Sequence, residues 1–312
     1  MARTGRRALG LLMALAVAGG PLTAQQAGML LLESPASVET MAYGNAPNLF
    51  SSSAALLFEA PAMLGRSSGV AAGLQRYGGA GTLASIAGAG EFQGGGFALG
   101  VQYMRYGLDD GFPVLRDLQS EALTDGSTGV TEFVGSVGYA RTLFGVRAGG
   151  VIKYAELSAD ASKDGKVAFD FGLAKDVGPL MLTLSGRNFG RNLLLSPGPD
   201  GPQAVELELP QQWIAGATSE DFEVGPLDMF VTSQVIRRRD GEYIPAGGVE
   251  LSYWPVAGYT FRLRGGLQRV PDDERSPFTF GAAFTGDDIT IEYAFQSFNG
   301  EGNAHRIGLR WQ

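Results

Sequence analysis

Cysteine is absent from all 312 residues, and histidine occurs once, at His305. Without cysteine an exported chain has no disulfide framework. With a single histidine it also lacks the usual ligands of a transition-metal site. A Ser-His hydrolase would need that histidine inside a site, yet alternation places His305 beside Ile307 on the apolar face of a strand. No catalytic set, metal or cofactor is therefore expected, and the chain reads as non-enzymatic. The acidic groups Asp109-Asp110, Asp272-Asp273-Glu274 and Asp287-Asp288 read as solvated loop charges rather than calcium ligands.

Basic residues are in the minority, 24 against 32 acidic. That balance excludes a nucleic acid partner, whose phosphates demand a basic footprint. Long hydrophobic runs are missing too. Beyond the first few residues no stretch approaches the roughly 20 apolar residues of a spanning helix.

Residues 1–24 have the pattern of a secretory signal peptide. Arg3, Arg6 and Arg7 supply its positive region, 11–18 its apolar core, and Gly19, Gly20 and Pro21 break that core. Thr23 and Ala24 precede a cleavage point at Gln25. Removing the three arginines leaves 21 basic and 32 acidic residues, a net charge of −11.

What remains is rich in glycine, with 47 residues, and alternates apolar with polar. At 259–268, Tyr259, Phe261, Leu263 and Leu267 fall on one face and Thr260, Arg262, Arg264 and Gln268 on the other. About fourteen such runs are expected, at 68–77, 81–88, 95–106, 129–141, 144–157, 166–175, 179–188, 211–219, 227–237, 243–254, 259–268, 278–285, 289–297 and 305–312. Most have the length of a tilted strand crossing a bilayer. Even-numbered connections are short and odd-numbered ones mostly longer and more polar, as in outer-membrane barrels with turns in the periplasm and loops outside. The first loop, 78–80, and the eighth connection, 220–226, depart from this rule. The fold class expected is all-β, a transmembrane antiparallel β-barrel over 66–312, with both termini periplasmic.

Face assignment fits a barrel. Phe97, Leu99, Val101, Phe133, Val137, Tyr139, Val146, Ile152, Phe169, Phe171, Leu182, Phe280, Phe284, Ile291 and Phe295 would face lipid. Tyr103, Tyr154, Trp213, Tyr253, Tyr259 and Trp311 near strand ends would form the aromatic girdles. The opposite face carries Glu132, Arg147, Lys153, Asp170, Arg187, Glu250, Arg262, Arg264, Glu292, Arg306 and Arg310. Charges on the lipid side cost about 2–4 kcal/mol at the midplane, so these are expected to line the lumen. Arg237-Arg238-Arg239 at a strand end is a candidate contact for lipopolysaccharide phosphates, with a solvated hairpin end at Asp240-Gly241 as the alternative.

The segment 25–65 is not strand-like. Met41-Ala42-Tyr43-Gly44-Asn45 is followed by Ser51-Ser52-Ser53, which caps a short helix over 54–59, and then by Ala60-Pro61-Ala62, which ends it. In this order the segment resembles the PorV/PorQ proteins of the long-chain fatty acid transporter (FadL-like) superfamily, where Met-Ala-x-Gly-Gly precedes an Ala-rich stretch and Asn-Pro-Ala. Asn45 replaces the second glycine and Ala60 the asparagine. Glu208-Leu209-Pro210, Val249-Glu250-Leu251-Ser252-Tyr253 and Arg262-Leu263-Arg264-Gly265-Gly266 resemble later motifs of the same family. The resemblance implies fourteen strands with 25–65 folded into the lumen as a plug that includes Met41, Ala42, Gly44, Ala60, Pro61 and Ala62.

Gly94-Gly95-Gly96 opens the third strand. Consecutive glycines weaken strand pairing and permit a kink or bulge, and related fatty acid transporters release ligand sideways at a kinked third strand. The resemblance thus makes these glycines a candidate lateral opening; a simple turn is the other reading. The function expected is passive transport or binding of a hydrophobic small molecule, gated by the plug. The alternatives are a non-enzymatic accessory of a type IX-like secretion system that holds exported proteins, and a structural outer-membrane anchor.

Overall fold

The computed structural model describes residues 29–77, 81–107, 129–159, 162–195, 205–270, 275–298 and 302–312. The segment read as a signal peptide, the long loop at 108–128 and the acidic groups at 109–110 and 272–274 lie outside the described residues.

Among the described residues seventeen strands follow one another: β1 (Gly69–Tyr77), β2 (Gly81–Phe92), β3 (Gly95–Gly107), β4 (Gly129–Leu143), β5 (Val146–Ala159), β6 (Ser162–Val177), β7 (Leu180–Gly190), β8 (Leu193–Leu195), β9 (Val205–Leu207), β10 (Gln212–Ser219), β11 (Phe222–Val224), β12 (Leu227–Arg238), β13 (Tyr243–Val256), β14 (Tyr259–Gln268), β15 (Arg275–Gly286), β16 (Ile289–Phe298) and β17 (Asn303–Trp311). β8 and β9 form a separate hairpin, and the other fifteen make one antiparallel sheet. β1 pairs with β17, and β10 with β12, so the sheet closes on itself. β10 and β11 both pair with β12 and are two pieces of one stave. The result is a closed barrel of fourteen staves, as alternation predicts. Closure leaves no unpaired edge, the condition for a sheet to cross lipid.

Loop length segregates more sharply than the sequence suggests. Each of the six connections at one end is a two-residue turn, because Gly or Asp supplies the left-handed conformation such turns require. At Gln93-Gly94 (φ 48° and 72°) and Phe144-Gly145 (φ 52° and 77°) both turn residues are left-handed. The eighth connection is no exception, since β11 resumes the stave and the turn is Gly225-Pro226. The polar stretch near 159–165, read as a loop, is mostly ladder, pairing β5 with β6 as far as Ala159 and Ser162.

The outer wall is apolar. Leu99, Val137, Ile152, Phe169, Phe280 and Ile291 are exposed there, while the alternate residues are covered. In water a closed barrel would not leave such a band uncovered; in lipid it is the spanning surface. His305 lies on this face, its Nδ1 2.8 Å from the Tyr293 hydroxyl.

Residues 29–68 run inside the barrel. They form two short helices, Leu30–Glu33 and Val38–Ala42, and two 3-10 turns, Ala54–Phe58 and Pro61–Arg66. Ser37 caps the second helix through the Thr40 N–H at 3.0 Å, and Ser53 caps the first 3-10 turn through Ala55. Pro61, at the first position of the second 3-10 turn, has no N–H to leave orphaned. Gly69 and Trp311 lie side by side at the turn end, whereas Leu30 and Leu31 sit against Glu132 near the loop end of β4. The described N-terminal residues are thus at the opposite end from the C-terminus.

Candidate functional site

The lumen divides into a charged side and an apolar side, and residues 29–68 mediate between them. The charged side is built on β13, β14, β16 and β17. Arg264 donates from Nε to Glu250 and from a terminal nitrogen to Glu292, both at 2.7 Å, and lies 3.8 Å from Glu39. Arg310 reaches Glu39 at 3.1 Å and Glu292 at 3.3 Å, and Arg262 approaches Glu250 at 3.4 Å. Three carboxylates and three guanidiniums therefore balance within one cluster. Glu39 and Tyr43 are the contributions of the segment: the Tyr43 hydroxyl donates to Glu250, and the Arg264 guanidinium stacks 5.3 Å from the Tyr43 ring. Opposite charges in contact offset the cost of taking each of them out of water, although Arg264 Nη2 and Arg310 Nε are buried without a hydrogen-bond partner.

The sequence placed Arg262, Arg264, Glu250, Glu292 and Arg310 in the lumen, and the structure brings all five together. Arg306 stands apart. It donates to the carbonyls of Pro35 and Ala36 and to Gln75 and Ser85, holding the segment by its backbone. Lys153 and Asp170 form a second buried pair at 2.5 Å, joined by Asn188, which accepts from Lys153 at 3.1 Å and donates its N–H to Asp170 at 2.8 Å. Asn188 is left-handed (φ 60°), at a register break between β6 and β7. Arg187 precedes that bulge on the inward face it shares with Met181 and Ser185. Arg147 sits at the turn end and binds Asp176 at 2.7 Å.

Pattern reading missed the acids of the segment itself. Glu59 accepts from the N–H groups of Ala36 (3.0 Å) and Ser37 (2.9 Å) and from the Thr40 hydroxyl (2.6 Å), tying two parts of the segment together. Burial pushes its carboxyl above the ordinary range, against the lowering pull of Thr40, Arg187 and Arg306. Neither Glu39 nor Glu59 falls in an alternating run, so nothing in the strand pattern marks them.

The motif residues lie where the segment touches the wall. Met41, Ala42 and Tyr43 are buried. Gly44 is left-handed, and its N–H donates to Thr279 at 2.9 Å. Ala60, Pro61 and Ala62 pack over β4, β5 and β6. A Cβ on Gly149 would stand 2.1 Å from the Pro61 carbonyl oxygen.

Gly94, Gly95 and Gly96 do not kink β3. Gly94 belongs to the two-residue turn, and β3 pairs on both sides without a register shift. Gly96 is needed for another reason: a Cβ there would fall 1.8 Å from the Leu64 carbonyl oxygen. The glycines make a turn and admit the segment, and the lateral opening expected at them is absent from this conformation.

The apolar side is continuous toward the loop end. Met29, Leu31 and Leu32 pack there against Leu83, Met104, Val134 and Leu157 of the wall. Leu193, Leu207 and Leu209, from the connection that carries the β8–β9 hairpin, join the cluster. Of the Leu193-Leu194-Leu195 run, Leu193 covers the lumen with Leu195 partly buried against it, while Leu194 is exposed. One carboxyl enters this region. Glu132 accepts from the N–H groups of Leu30 (3.1 Å) and Leu31 (2.8 Å) and from the Tyr106 hydroxyl (2.6 Å). The helix Leu30–Glu33 has no side-chain cap of its own, so Glu132 satisfies the donors that its first turn leaves open.

A small cavity lies between the segment and β1, bordered by Ser37, Ser53, Glu292 and Arg310, with room for little more than one water. Among the described residues no cluster of three metal-ligating side chains occurs, and no helix is long and apolar enough to cross a membrane. Of the three arginines at 237–239, Arg237 turns over the Tyr243 ring, Arg238 pairs with Glu33 at 2.9 Å and Arg239 with Glu208 at 3.4 Å.

No protein-family model and no curated protein matches this sequence. Among solved structures the chain is similar to the Pseudomonas putida toluene transporter TodX, with a TM-score of 0.56 and 10% identity over 88% of this chain and 96% of that one. It is similar to the monoaromatic hydrocarbon channel CymD, with a TM-score of 0.52 and 10% identity over 87% and 95%. A FadL homologue of Pseudomonas aeruginosa gives 0.50 and 12% over 88% and 96%. At such identities the likeness is one of fold. The barrel architecture implied by the FadL-like resemblance is shared at that level, and the narrower PorV/PorQ reading gains no support.

Proposed function

We propose that this protein is an outer-membrane channel for passive movement of small hydrophobic molecules, with residues 29–68 acting as a plug that shifts to let them through. The observation that carries this reading is the apolar region at the loop end of the lumen. An interior that only anchored a complex would have no reason to gather leucine and methionine from segment, wall and loop into one site. Two structures of like fold are a toluene transporter and a monoaromatic hydrocarbon channel, which fits an apolar cargo. In this reading the signal peptide is removed, the two-residue turns face the periplasm and the longer connections face outward. No chemistry on the cargo is required, since the charged cluster serves to seat the plug.

The test is native mass spectrometry of the detergent-purified protein, together with uptake of a hydrophobic fluorophore into vesicles containing it. A retained small apolar molecule, and uptake that rises when residues 29–33 are deleted, are the expected results. A retained exported protein, with uptake no faster than in protein-free vesicles, would replace this reading with the secretion-accessory role.

A further inference from the structure

Glu132 enters the apolar cluster at the loop end almost wholly buried, while Glu33, the last residue of the helix Leu30–Glu33, pairs with Arg238 at 2.9 Å. The Glu132 carboxyl is engaged entirely as an acceptor: one oxygen takes the Leu30 N–H and the Tyr106 hydroxyl, the other the Leu31 N–H. Among the described residues no lysine or arginine forms an ion pair with it. Two of its three donors come from the N-terminal segment, and the same segment fills the surrounding space with Met29, Leu31 and Leu32. Segment and apolar site therefore match in two respects at once, an apolar body and a pair of N–H donors.

Any molecule that displaces Leu30 and Leu31 inherits both demands. A purely apolar occupant would leave the carboxyl with Tyr106 alone, and a buried acceptor stripped of its donors is costly. A carboxylate occupant brings acceptors and no donor, so its own buried oxygens and those of Glu132 would both go unsatisfied. We infer that the loop-end site selects hydrophobic molecules bearing a hydrogen-bond donor, such as an alcohol or an amine, and rejects carboxylates, with Glu132 as the selecting group. The segment then acts as a built-in stand-in for such a ligand. This rests on the transport reading above and specifies its cargo.

Decanol, decylamine and decanoate share one apolar body and differ at the head. The experiment adds each to the protein in zwitterionic nanodiscs and follows amide exchange at Leu30 and Leu31 by mass spectrometry. Decanol and decylamine are expected to accelerate exchange there at concentrations about tenfold below decanoate, the scale of one buried acceptor left unsatisfied. Glu132→Gln, with folding checked by the barrel's heat-dependent gel mobility, is expected to bring the three probes within about threefold of one another. If that variant does not fold, Tyr106→Phe serves instead; with one donor to Glu132 lost, it is expected to widen the preference, and an unchanged or narrowed preference overturns the inference. Equal or stronger action of decanoate on the native protein overturns the inference and leaves hydrophobic transport standing. A preference that survives Glu132→Gln also overturns it. Failure of all three probes to alter exchange overturns both the inference and the transport reading.

Discussion

Replacing Arg264 with methionine removes the centre of the charged cluster while keeping much of its volume. Its side chain has no exposure and holds two carboxylates at 2.7 Å, with a third at 3.8 Å. Without it Glu39, Glu250 and Glu292 share only Arg262 and Arg310. Breaking a buried pair from one side costs about 3–5 kcal/mol, because the remaining charge stays out of water. Two of the three carboxylates belong to the wall and one to the segment, so part of the loss falls on docking. If only about 1.4 kcal/mol does so, the undocked population rises tenfold, and protease cleavage within 29–68 rises with it as long as reclosing is fast. The assay pairs guanidinium unfolding of the vesicle-folded barrel with limited proteolysis. Arg264→Met should lower the unfolding midpoint and speed cleavage of the segment. Adding Glu292→Gln should recover about 0.5–3 kcal/mol, since it removes one of the stranded charges. A single variant with unchanged midpoint and unchanged protection would show that the cluster neither supports the wall nor seats the segment.

Two further outcomes follow from burial and position. Leu263 is 66% exposed on the outer face midway along β14, so Leu263→Arg should destabilise the vesicle-folded barrel by about 2–4 kcal/mol, while Val256→Arg at the turn end should cost about 0–1 kcal/mol; equal costs in denaturant unfolding would place the lipid band wrongly. Glu59 carries the pH dependence of docking. Its carboxyl is held above the ordinary range by burial, so its contribution is fully present below the unfolded pKa and is lost as pH rises through the folded one. Amide exchange at residues 36–40 should therefore quicken from acidic toward neutral pH, and Glu59→Gln should flatten that slope; a slope unchanged in the variant would assign it elsewhere.

The strands were legible because a barrel in lipid imposes one rule on every stave. Residues such as Leu99, Ile152 and Leu263 must alternate with Gln102, Lys153 and Arg264, and a period of two survives even where boundaries blur. The boundaries blurred where the polar stretch near 159–165 pairs as ladder outside the lipid band, and where β11 hides behind the break at Glu220-Asp221. Gly94-Gly95-Gly96 misled because a glycine looks the same in sequence whether it makes a turn, allows a kink or clears space for a neighbouring chain. Only the position of the Leu64 carbonyl separates these at Gly96. The inward charges could be named in advance, but their partners could not. Arg264 and Glu39 are brought together by the segment's path, and no local pattern encodes a contact across so long a stretch of chain.

By itself, then, the sequence determined the class of fold, the face that meets lipid, the sorting of short turns from longer loops and which charged residues of the strands point inward. Each is a local consequence of strand periodicity against a nonpolar solvent. The tertiary structure alone decided that residues 29–68 cross the lumen from loop end to turn end, that the charges divide into a seated cluster and three outlying sites, and that Glu132 stands in an apolar chamber facing the segment's own amides. Those depend on where chain distant in sequence comes to rest, which buried electrostatics and close packing settle and periodicity does not.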